Sequence, residues 1–302
     1  MDIVALGEPL VEFNQQTDGR WLEGFGGDTS NVAIAAARQG AETAMIARIG
    51  TDEFGDGLMR LWAEEGVATD FVTCDPHAPT GIYFVHHGEG GHVFSYRRAG
   101  SAASLMRPED VPAEAIRAAK VLHLSGISQA ISASAADACF AAMRIAREAG
   151  VKVAYDLNLR SRLWPLERAR AVIHGAMAYV DIALPGLDDA KALTGLDDPR
   201  EIVAFYQRLG PSVVALTLGE GGALVADGDA LYDVPPRTTT LVDASGAGDC
   251  FDGSFLAAWL RDGSVAAAAH YANTAASLSV EGYGAIAPIP TRAAVEAALA
   301  LT

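Results

Sequence analysis

The sequence predicts an α/β protein in which three layers, α/β/α, surround a mostly parallel central sheet that carries a small β-sheet lid. Short apolar runs rich in β-branched residues alternate with longer helical patterns along most of the 302 residues, as in parallel sheets covered by helices. Residues 10–25 and 71–98 break this alternation with extended segments and glycine-rich turns. Residues 1–302 are therefore predicted to form one domain, with the lid contributed by those two stretches.

The core elements follow from hydrophobic patterning. Buried strands are predicted where short apolar runs lie between helical segments, at residues 3–6, 44–49, 121–124, 151–155, 182–184 and 213–216. Helices are predicted where apolar residues recur at helical spacing, at residues 30–38, 53–64, 133–149, 166–176, 246–261 and 265–280.

Composition excludes several classes of function. The formal net charge is −16, with 22 Lys and Arg against 38 Asp and Glu, so neither nucleic acid nor an anionic membrane is an expected partner. The three cysteines are too far apart for a zinc site or a disulfide framework, which suits a reducing cytoplasm. No signal peptide is expected, because the first residues lack a basic segment.

The chemically most informative segment is D-A-S-G-A-G-D at residues 243–249, between a strand-like run and a helical pattern. Small residues at a helix start let backbone N–H groups approach an anion, which the helix dipole also favours. Asp249 would lie in the first turn, where a carboxylate can take a proton from an attacking hydroxyl. From these residues alone, an N-cap aspartate behind a glycine turn explains the segment equally well.

Further blocks identify the pattern. Residues 243–249 resemble the D-T-x-G-A-G-D signature of ribokinase-like (PfkB) sugar kinases, and G-G-D-T-S-N-V-A at residues 26–33 resembles the glycine-pair motif of that family. Residues 7–10 and 48–55 are similar to family blocks in the same order, so the resemblance extends from residue 3 to about 290. It implies a ribokinase-like fold and transfer of phosphate from ATP to a small sugar or sugar acid.

The resemblance also implies individual roles. Asp249 would be the catalytic base, and the N–H groups of Gly246, Ala247 and Gly248 would stabilise charge on the transferred phosphoryl group. The sugar hydroxyls would be bound by the glycine-pair segment, through Gly26, Gly27, Asp28 and Asn31. No G-x-x-x-x-G-K-[ST] phosphate loop occurs, which excludes a Walker-type mechanism.

On the nucleotide side, the resemblance assigns ATP to Asn158, Thr217, Gly219, Gly222 and Asn273. An ordinary hairpin turn explains the glycines as well, and a polar helix face explains Asn273 nearly as well.

Metal binding is where the sequence departs from its relatives. They carry N-x-x-E for Mg²⁺, whereas the corresponding positions here are Gly186 and Asp189. Asp189 is the predicted metal residue, with a shorter carboxylate. Asp243 is predicted to organise a loop for a monovalent cation such as K⁺.

Two blocks bear on the sugar. Residues 96–102 and 155–160 are most similar to those of 2-keto-3-deoxygluconate kinases, in which arginines matching Arg97 and Arg160 meet the carboxylate of the sugar acid. Tyr83 would close over the sugar from the lid, whereas Arg98 is expected to be a surface cation paired with excess acidic residues. The predicted reaction is phosphorylation of 2-keto-3-deoxygluconate at its terminal hydroxyl. Fructokinases share the D-x-N-x-R pattern at 156–160 and remain the alternative.

Two other classes of protein agree less well with the sequence. A dehydrogenase would need G-x-G-x-x-G after the first strand, which this chain lacks. A non-catalytic sugar sensor is disfavoured by the intact Asp249 segment. A homo-oligomer formed through edge strands of the lid is also expected.

Overall fold

The computed structural model describes residues 1–16, 18–88 and 91–301, which form a nine-stranded sheet and a four-stranded sheet. The strands, in chain order, are β1 Ile3–Leu6, β2 Leu10–Gln15, β3 Trp21–Gly26, β4 Thr43–Gly50, β5 Val67–Asp75, β6 Gly81–Gly88, β7 Gly91–Arg97, β8 Val121–Ser125, β9 Lys152–Asp156, β10 Ile182–Leu184, β11 Val213–Thr217, β12 Ala223–Asp227 and β13 Ala230–Val234.

The large sheet has the order β13-β12-β11-β10-β9-β8-β1-β4-β5. All neighbours pair in parallel except at β12, which is antiparallel to both β11 and β13. Strand β1 lies between β4 and β8, with Ile3 in register with both Thr43 and Val121. The order in which successive strands are added to the sheet therefore changes direction at β1. Open α/β sheets form their ligand crevices at such a point.

Helices cover both faces of the large sheet. They are α1 Asp28–Arg38, α2 Glu53–Glu64, α3 Ala113–Arg117, α4 Gly126–Ala130, α5 Ala133–Ala149, α6 Leu166–Ala176, α7 Leu187–Thr194, α8 Pro199–Leu209, α9 Ala247–Asp262, α10 Val265–Ser279 and α11 Arg292–Leu299. One hydrophobic core lies under α1, α2, α9, α10 and α11, and a second lies under α3 and α5–α8. All four residues of β1 are buried, as expected of a strand covered on both faces. The predicted α/β/α architecture is confirmed.

The small sheet has the order β3-β2-β6-β7. Strand β2 pairs antiparallel with β3 and parallel with β6, and β6 pairs antiparallel with β7. The residues at positions 89 and 90 of the predicted hairpin turn lie outside the described residues.

The predicted boundary of the lid needs one correction. Residues 71–75 belong to β5, which pairs in parallel with β4 at the edge of the large sheet, so this part of the lid begins at Gly81. Exposed and buried residues mix along β5 because an edge strand is only partly covered, and this mixture resembled a hairpin pattern. Within the described residues, no helix is long and apolar enough to cross a membrane.

Candidate active site

The predicted site residues gather at the carboxyl ends of β1, β8 and β9, beneath the small sheet. Two adjoining cavities open there, with volumes of about 790 and 250 Å³. Both are lined by Asn158, Arg160, Ala244, Gly246 and Asp249. The larger cavity extends under the lid, and the smaller one extends between the strand ends and the start of α9. Asp249 lies where the two cavities meet.

Asp249 occupies the first turn of α9, as predicted. Its Oδ2 accepts a hydrogen bond of 2.8 Å from Asn31 Nδ2. Burial, together with the nearby Asp28 carboxylate, raises the pKa of Asp249 to about 7. A carboxylate with this pKa can accept a proton near neutral pH and release it afterwards, which suits a general base.

The turn before α9 places the N-terminus of a helix at the smaller cavity, and a helix start can bind an anion. Gly246 has a φ of 72°, and a Cβ at this position would lie 2.8 Å from the carbonyl oxygen of Ala285, so a larger residue does not fit. Asp243 braces the turn, because its two oxygens accept hydrogen bonds of 2.9 Å from the N–H groups of Ser245 and Gly284. Its carboxylate thus connects the loop at Ser245 with the loop at Gly284. The role predicted for Asp243 is to organise a loop for a monovalent cation.

The glycine pair lets α1 begin against the end of β1. Gly27 has a φ of 108°, and a Cβ there would lie 2.4 Å from the Glu8 carbonyl oxygen. The next residue, Asp28, accepts hydrogen bonds from Ser125 Oγ and, at 2.8 Å, from Asn158 Nδ2. The buried Asn31 Oδ1 has no hydrogen-bond partner among the described residues. Asp28 and Asn31 therefore present fixed polar groups to the larger cavity.

The lid supplies an aromatic wall to the same cavity. Tyr83 donates a hydrogen bond to Glu12 and stacks on Tyr96, with 5.8 Å between ring centroids. Gly26 leaves room for the Tyr83 hydroxyl, which would lie 2.6 Å from a Cβ at that position. Arg162 Nη1 donates a hydrogen bond of 2.8 Å to the Phe94 carbonyl and so links the lid to the loop after β9.

The predicted positions of two arginines are wrong. Successive side chains along a strand point to opposite faces, and Tyr96 faces the cavity, so Arg97 points away and is exposed. Arg98 lies beyond the end of β7 and lines the cavity, with only 10% of its side chain exposed. It forms an ion pair with the buried Glu8 and lies over the Tyr96 ring, so it is not a surface cation.

The loop after β9 carries two predicted residues into both cavities. Asn158 has a φ of 30°, and among the described residues it is the only non-glycine with a positive φ. Such backbone strain is typical of functional positions. Arg160 follows and lines both cavities, with Nη1 bonded to the Leu159 carbonyl at 3.0 Å.

The smaller cavity is markedly acidic. The predicted metal residue, Asp189, lines it and accepts a hydrogen bond of 2.9 Å from the Leu159 N–H. Asp156 and Asp252, which sequence reasoning missed, line it as well. Burial and repulsion from neighbouring carboxylates, including Asp249 and Asp28, raise the pKa values of both. The three-residue spacing of Asp249 and Asp252, which puts both on one helix face, is the signal that could have identified Asp252.

The predicted nucleotide residues differ in whether they line a cavity. Thr217 lines the smaller cavity, whereas Gly219 and Gly222 form the turn between β11 and β12. Asn273 is buried on α10, where its Nδ2 donates a hydrogen bond of 3.0 Å to the Pro235 carbonyl. Its side chain therefore braces the segment after β13, away from the residues that line the two cavities.

The donor groups of the smaller cavity suit Mg²⁺ bound to a nucleotide. Its carboxylates are hard oxygen ligands, and they lie beside the N–H groups of Gly246–Gly248. In the part of the chain that the structure describes, no three His, Cys, Asp or Glu side chains are placed to hold a metal by themselves. This arrangement matches the usual coordination of Mg²⁺ by few carboxylates together with phosphates and water.

Comparisons with known proteins agree with this geometry. Residues 2–292 match the family described as pfkB family carbohydrate kinase. A 2-dehydro-3-deoxygluconokinase of Thermoproteus tenax is 37% identical over 86% of this chain and 82% of its own length. Probable fructokinase-4 of Arabidopsis thaliana is 32% identical over 98% of this chain and 96% of its own length.

A solved structure extends the comparison. The crystal structure of fructokinase with bound ATP from Xylella fastidiosa superposes with a TM-score of 0.92 and 26% identity, covering 99% of this chain and 98% of the other. The sequence match, the ribokinase-like fold and the placement of Asp249 at a helix start together lead to one conclusion. The chain belongs to the pfkB family and is a carbohydrate kinase.

Proposed function

We propose that the protein transfers the γ-phosphate of ATP to the terminal hydroxyl of 2-keto-3-deoxygluconate. The sugar acid occupies the larger cavity and the nucleotide phosphates occupy the smaller one, so the two substrates meet at Asp249. The name of the Thermoproteus tenax relative and the ATP bound to the Xylella fastidiosa structure support these assignments. The reaction takes place in the cytoplasm, where the three unpaired cysteines stay reduced.

In the chemical step, the sugar hydroxyl gives its proton to Asp249 while its oxygen forms a bond to the γ-phosphorus. The bond from phosphorus to the bridging oxygen of ADP breaks at the same time, and ADP leaves with that electron pair. Asn31 holds the Asp249 carboxylate through its 2.8 Å hydrogen bond, which fixes the direction of proton transfer. The N–H groups of Gly246, Ala247 and Gly248 stabilise the charge on the transferred group.

Metal binding follows from the same assignment. Asp189 and the neighbouring carboxylates of the smaller cavity would hold Mg²⁺ with the nucleotide. When bound, Mg²⁺ neutralises charge on the phosphates. Both oxygens of Asp243 accept hydrogen bonds, from the N–H groups of Ser245 and Gly284. Asp243 therefore acts on K⁺ by ordering these loops and not by binding the ion.

The observation that carries the sugar-acid assignment is the presence of Arg98 and Arg160 in the same cavity as Asp249. A planar guanidinium binds a carboxylate through paired hydrogen bonds, and Arg98 Nε is buried without a partner among the described residues. Binding the carboxylate at these residues would direct the other end of a six-carbon chain toward Asp249.

One observation favours a neutral sugar. The charge of Arg98 is already compensated by Glu8, which leaves Arg160 as the principal free charge for a carboxylate. A fructokinase is therefore the second candidate, consistent with the name of the Arabidopsis thaliana relative.

A substrate panel with ATP and Mg²⁺ separates the two candidates. We expect kcat/KM to be highest for 2-keto-3-deoxygluconate, with fructose, ribose and gluconate as comparison substrates. A preference for fructose would establish the second candidate. Failure to phosphorylate any sugar or sugar acid would contradict both.

The lid has a second proposed role, as the contact with a second copy of this chain. Its outer strands expose apolar side chains at Trp21, Leu22 and Val93, and edge strands offer free backbone hydrogen-bonding groups. We expect sedimentation velocity to show a dimer that Leu22→Glu dissociates, while Tyr283→Glu, at an exposed position outside the lid, leaves it intact. A monomeric wild-type protein would refute this assembly.

A further inference from the structure

The smaller cavity has the wrong charge for a polyphosphate. Of the described residues that line it, four are aspartates and one is an arginine, namely Asp156, Asp189, Asp249, Asp252 and Arg160. Yet it also contains the anion-binding N–H groups of the α9 start. Like charges a few ångströms apart repel strongly in a partly buried site. The carboxylates of this cavity therefore disfavour a polyphosphate unless a cation accompanies it.

Asp252 differs from the other carboxylates of this cavity in its hydrogen bonding. The Asp156, Asp189 and Asp249 side chains each accept at least one hydrogen bond, from Asn158 N, Leu159 N and Asn31 Nδ2 respectively. Among the described residues, no donor reaches the Asp252 carboxylate, although Asp252 is only 3% exposed. Its oxygens are not enclosed by protein, because Asp252 lines the smaller cavity, so a partner bound there can reach a carboxylate that no protein donor occupies.

The position of Asp252 indicates that partner. It follows Asp249 by three residues on α9, so its side chain projects on the same helix face and lines the smaller cavity. Asp156 and Asp189 each use one carboxylate oxygen for a backbone N–H, which leaves the second oxygen without a hydrogen bond among the described residues. These oxygens and the N–H groups at the start of α9 line one cavity of about 250 Å³, where a hard divalent cation bound with phosphates is the complementary ligand.

We propose that Asp252 binds the divalent cation that accompanies the nucleotide, directly or through one water, and so replaces the asparagine that N-x-x-E would place at Gly186. The carboxylate comes from α9 rather than from the start of α7. The proposal rests on the proposed kinase function, since the nucleotide phosphates complete the coordination. It adds a residue to the metal site that the N-x-x-E pattern does not include.

The test compares Asp252→Asn with Asp262→Asn, which makes the same change at the exposed end of α9, outside both cavities. Binding of Mn²⁺ is measured by electron paramagnetic resonance, with the protein alone and with a non-hydrolysable ATP analogue. We expect Asp252→Asn to weaken Mn²⁺ binding in the ternary complex by roughly ten- to a hundredfold. Asp262→Asn should bind Mn²⁺ like the wild type.

A second measurement, binding of the analogue without metal, should not show the loss expected for Mn²⁺. With EDTA present, the analogue alone should bind Asp252→Asn as tightly as the wild type or more tightly, because a repelling charge has been removed. A general loss of structure would weaken binding under both conditions. Wild-type Mn²⁺ affinity in Asp252→Asn would overturn the proposal.

Crystals of the wild type with Mn²⁺ and the analogue cover the case in which Asp252→Asn does not fold. An anomalous peak in direct or one-water contact with Asp252 supports the proposal, and a peak farther away contradicts it. These measurements do not depend on turnover. A protein that binds Mn²⁺ and nucleotide through Asp252 yet phosphorylates no sugar would contradict the proposed function alone.

Discussion

The two cavities differ both in size and in the charge of the side chains that line them. In the larger cavity three arginines face four carboxylates, with Arg98, Arg160 and Arg162 opposite Glu8, Glu12, Asp28 and Asp249. In the smaller cavity a single arginine faces four aspartates among the described lining residues. The larger cavity is nearly balanced and suits a sugar that carries at most one charge. The smaller cavity is suited to phosphates only when cations accompany them.

Asp249 belongs to both cavities, and this explains its properties. Burial and the nearby Asp28 carboxylate raise the pKa of Asp249, while the hydrogen bond from Asn31 holds its side chain in place. A base of nearly neutral pKa therefore lies at the boundary between the two cavities. Changes at the boundary should affect both substrates, and changes deeper in one cavity should affect only one.

The largest effect is expected at the boundary itself. Asp249→Asn should lower kcat by roughly 10²- to 10⁴-fold, because the amide cannot take the hydroxyl proton. Sugar binding, measured by calorimetry, should change little, since Asn keeps the shape and can still bond to Asn31. Asp262→Asn, at the exposed end of the same helix, serves as the control. Turnover near the wild-type rate in Asp249→Asn would rule out a catalytic base at this position.

The next effect is confined to the larger cavity. Alanine at Arg98 or Arg160 should lower kcat/KM for 2-keto-3-deoxygluconate by roughly ten- to a hundredfold, the loss of one charged hydrogen bond of about 1.5–3 kcal/mol. Activity on fructose should fall much less. Arg97→Ala should leave both activities unchanged, because Arg97 lies outside both cavities. Equal losses on the two substrates would favour a neutral sugar instead.

The pH dependence should reflect the shared base. Asp249 must be ionised to accept a proton. Because its pKa in the substrate-free protein is about 7, kcat/KM should rise with pH and level off above that value. At pH 6 the value should be about tenfold below the plateau, because about one molecule in ten then carries the ionised base. Stopped-time assays across pH 5.5–8.5 measure this. A profile that is flat between pH 6 and 8 would contradict the assignment.

The smallest effect is expected in the lid. Sugar should slow hydrogen exchange in β6 and β7 several-fold, because Tyr83 and Phe94 line the larger cavity and closure would exclude water from it. Exchange in β12 and β13, which form one edge of the large sheet, provides an internal control. Unchanged protection of β6 and β7 would leave the lid with only its proposed role in assembly.

Hydrophobic patterning predicted six of the nine strands described in the large sheet, and it missed β5, β12 and β13 there. The run at residues 182–184 became β10, and the runs at 121–124 and 213–216 were each extended by one residue in β8 and β11. Such runs are decisive because a strand covered on both faces must be apolar throughout. An edge strand need not be apolar throughout, so the pattern of β5 predicted a lid strand instead. The structure pairs β5 with β4 in the large sheet.

The sequence by itself determined the α/β/α architecture, the kinase family and the position of Asp249 at a helix start, because each depends on local patterns or contiguous motifs. Tertiary structure alone decided which arginine enters the larger cavity, since strand pairing fixes the faces of Tyr96 and Arg97. It also decided that Asp156 from β9, Asp189 from α7 and Asp252 from α9 share one small cavity. Residues so far apart in sequence meet only because the parallel strands end at one edge of the sheet, where the start of α9 is packed against them.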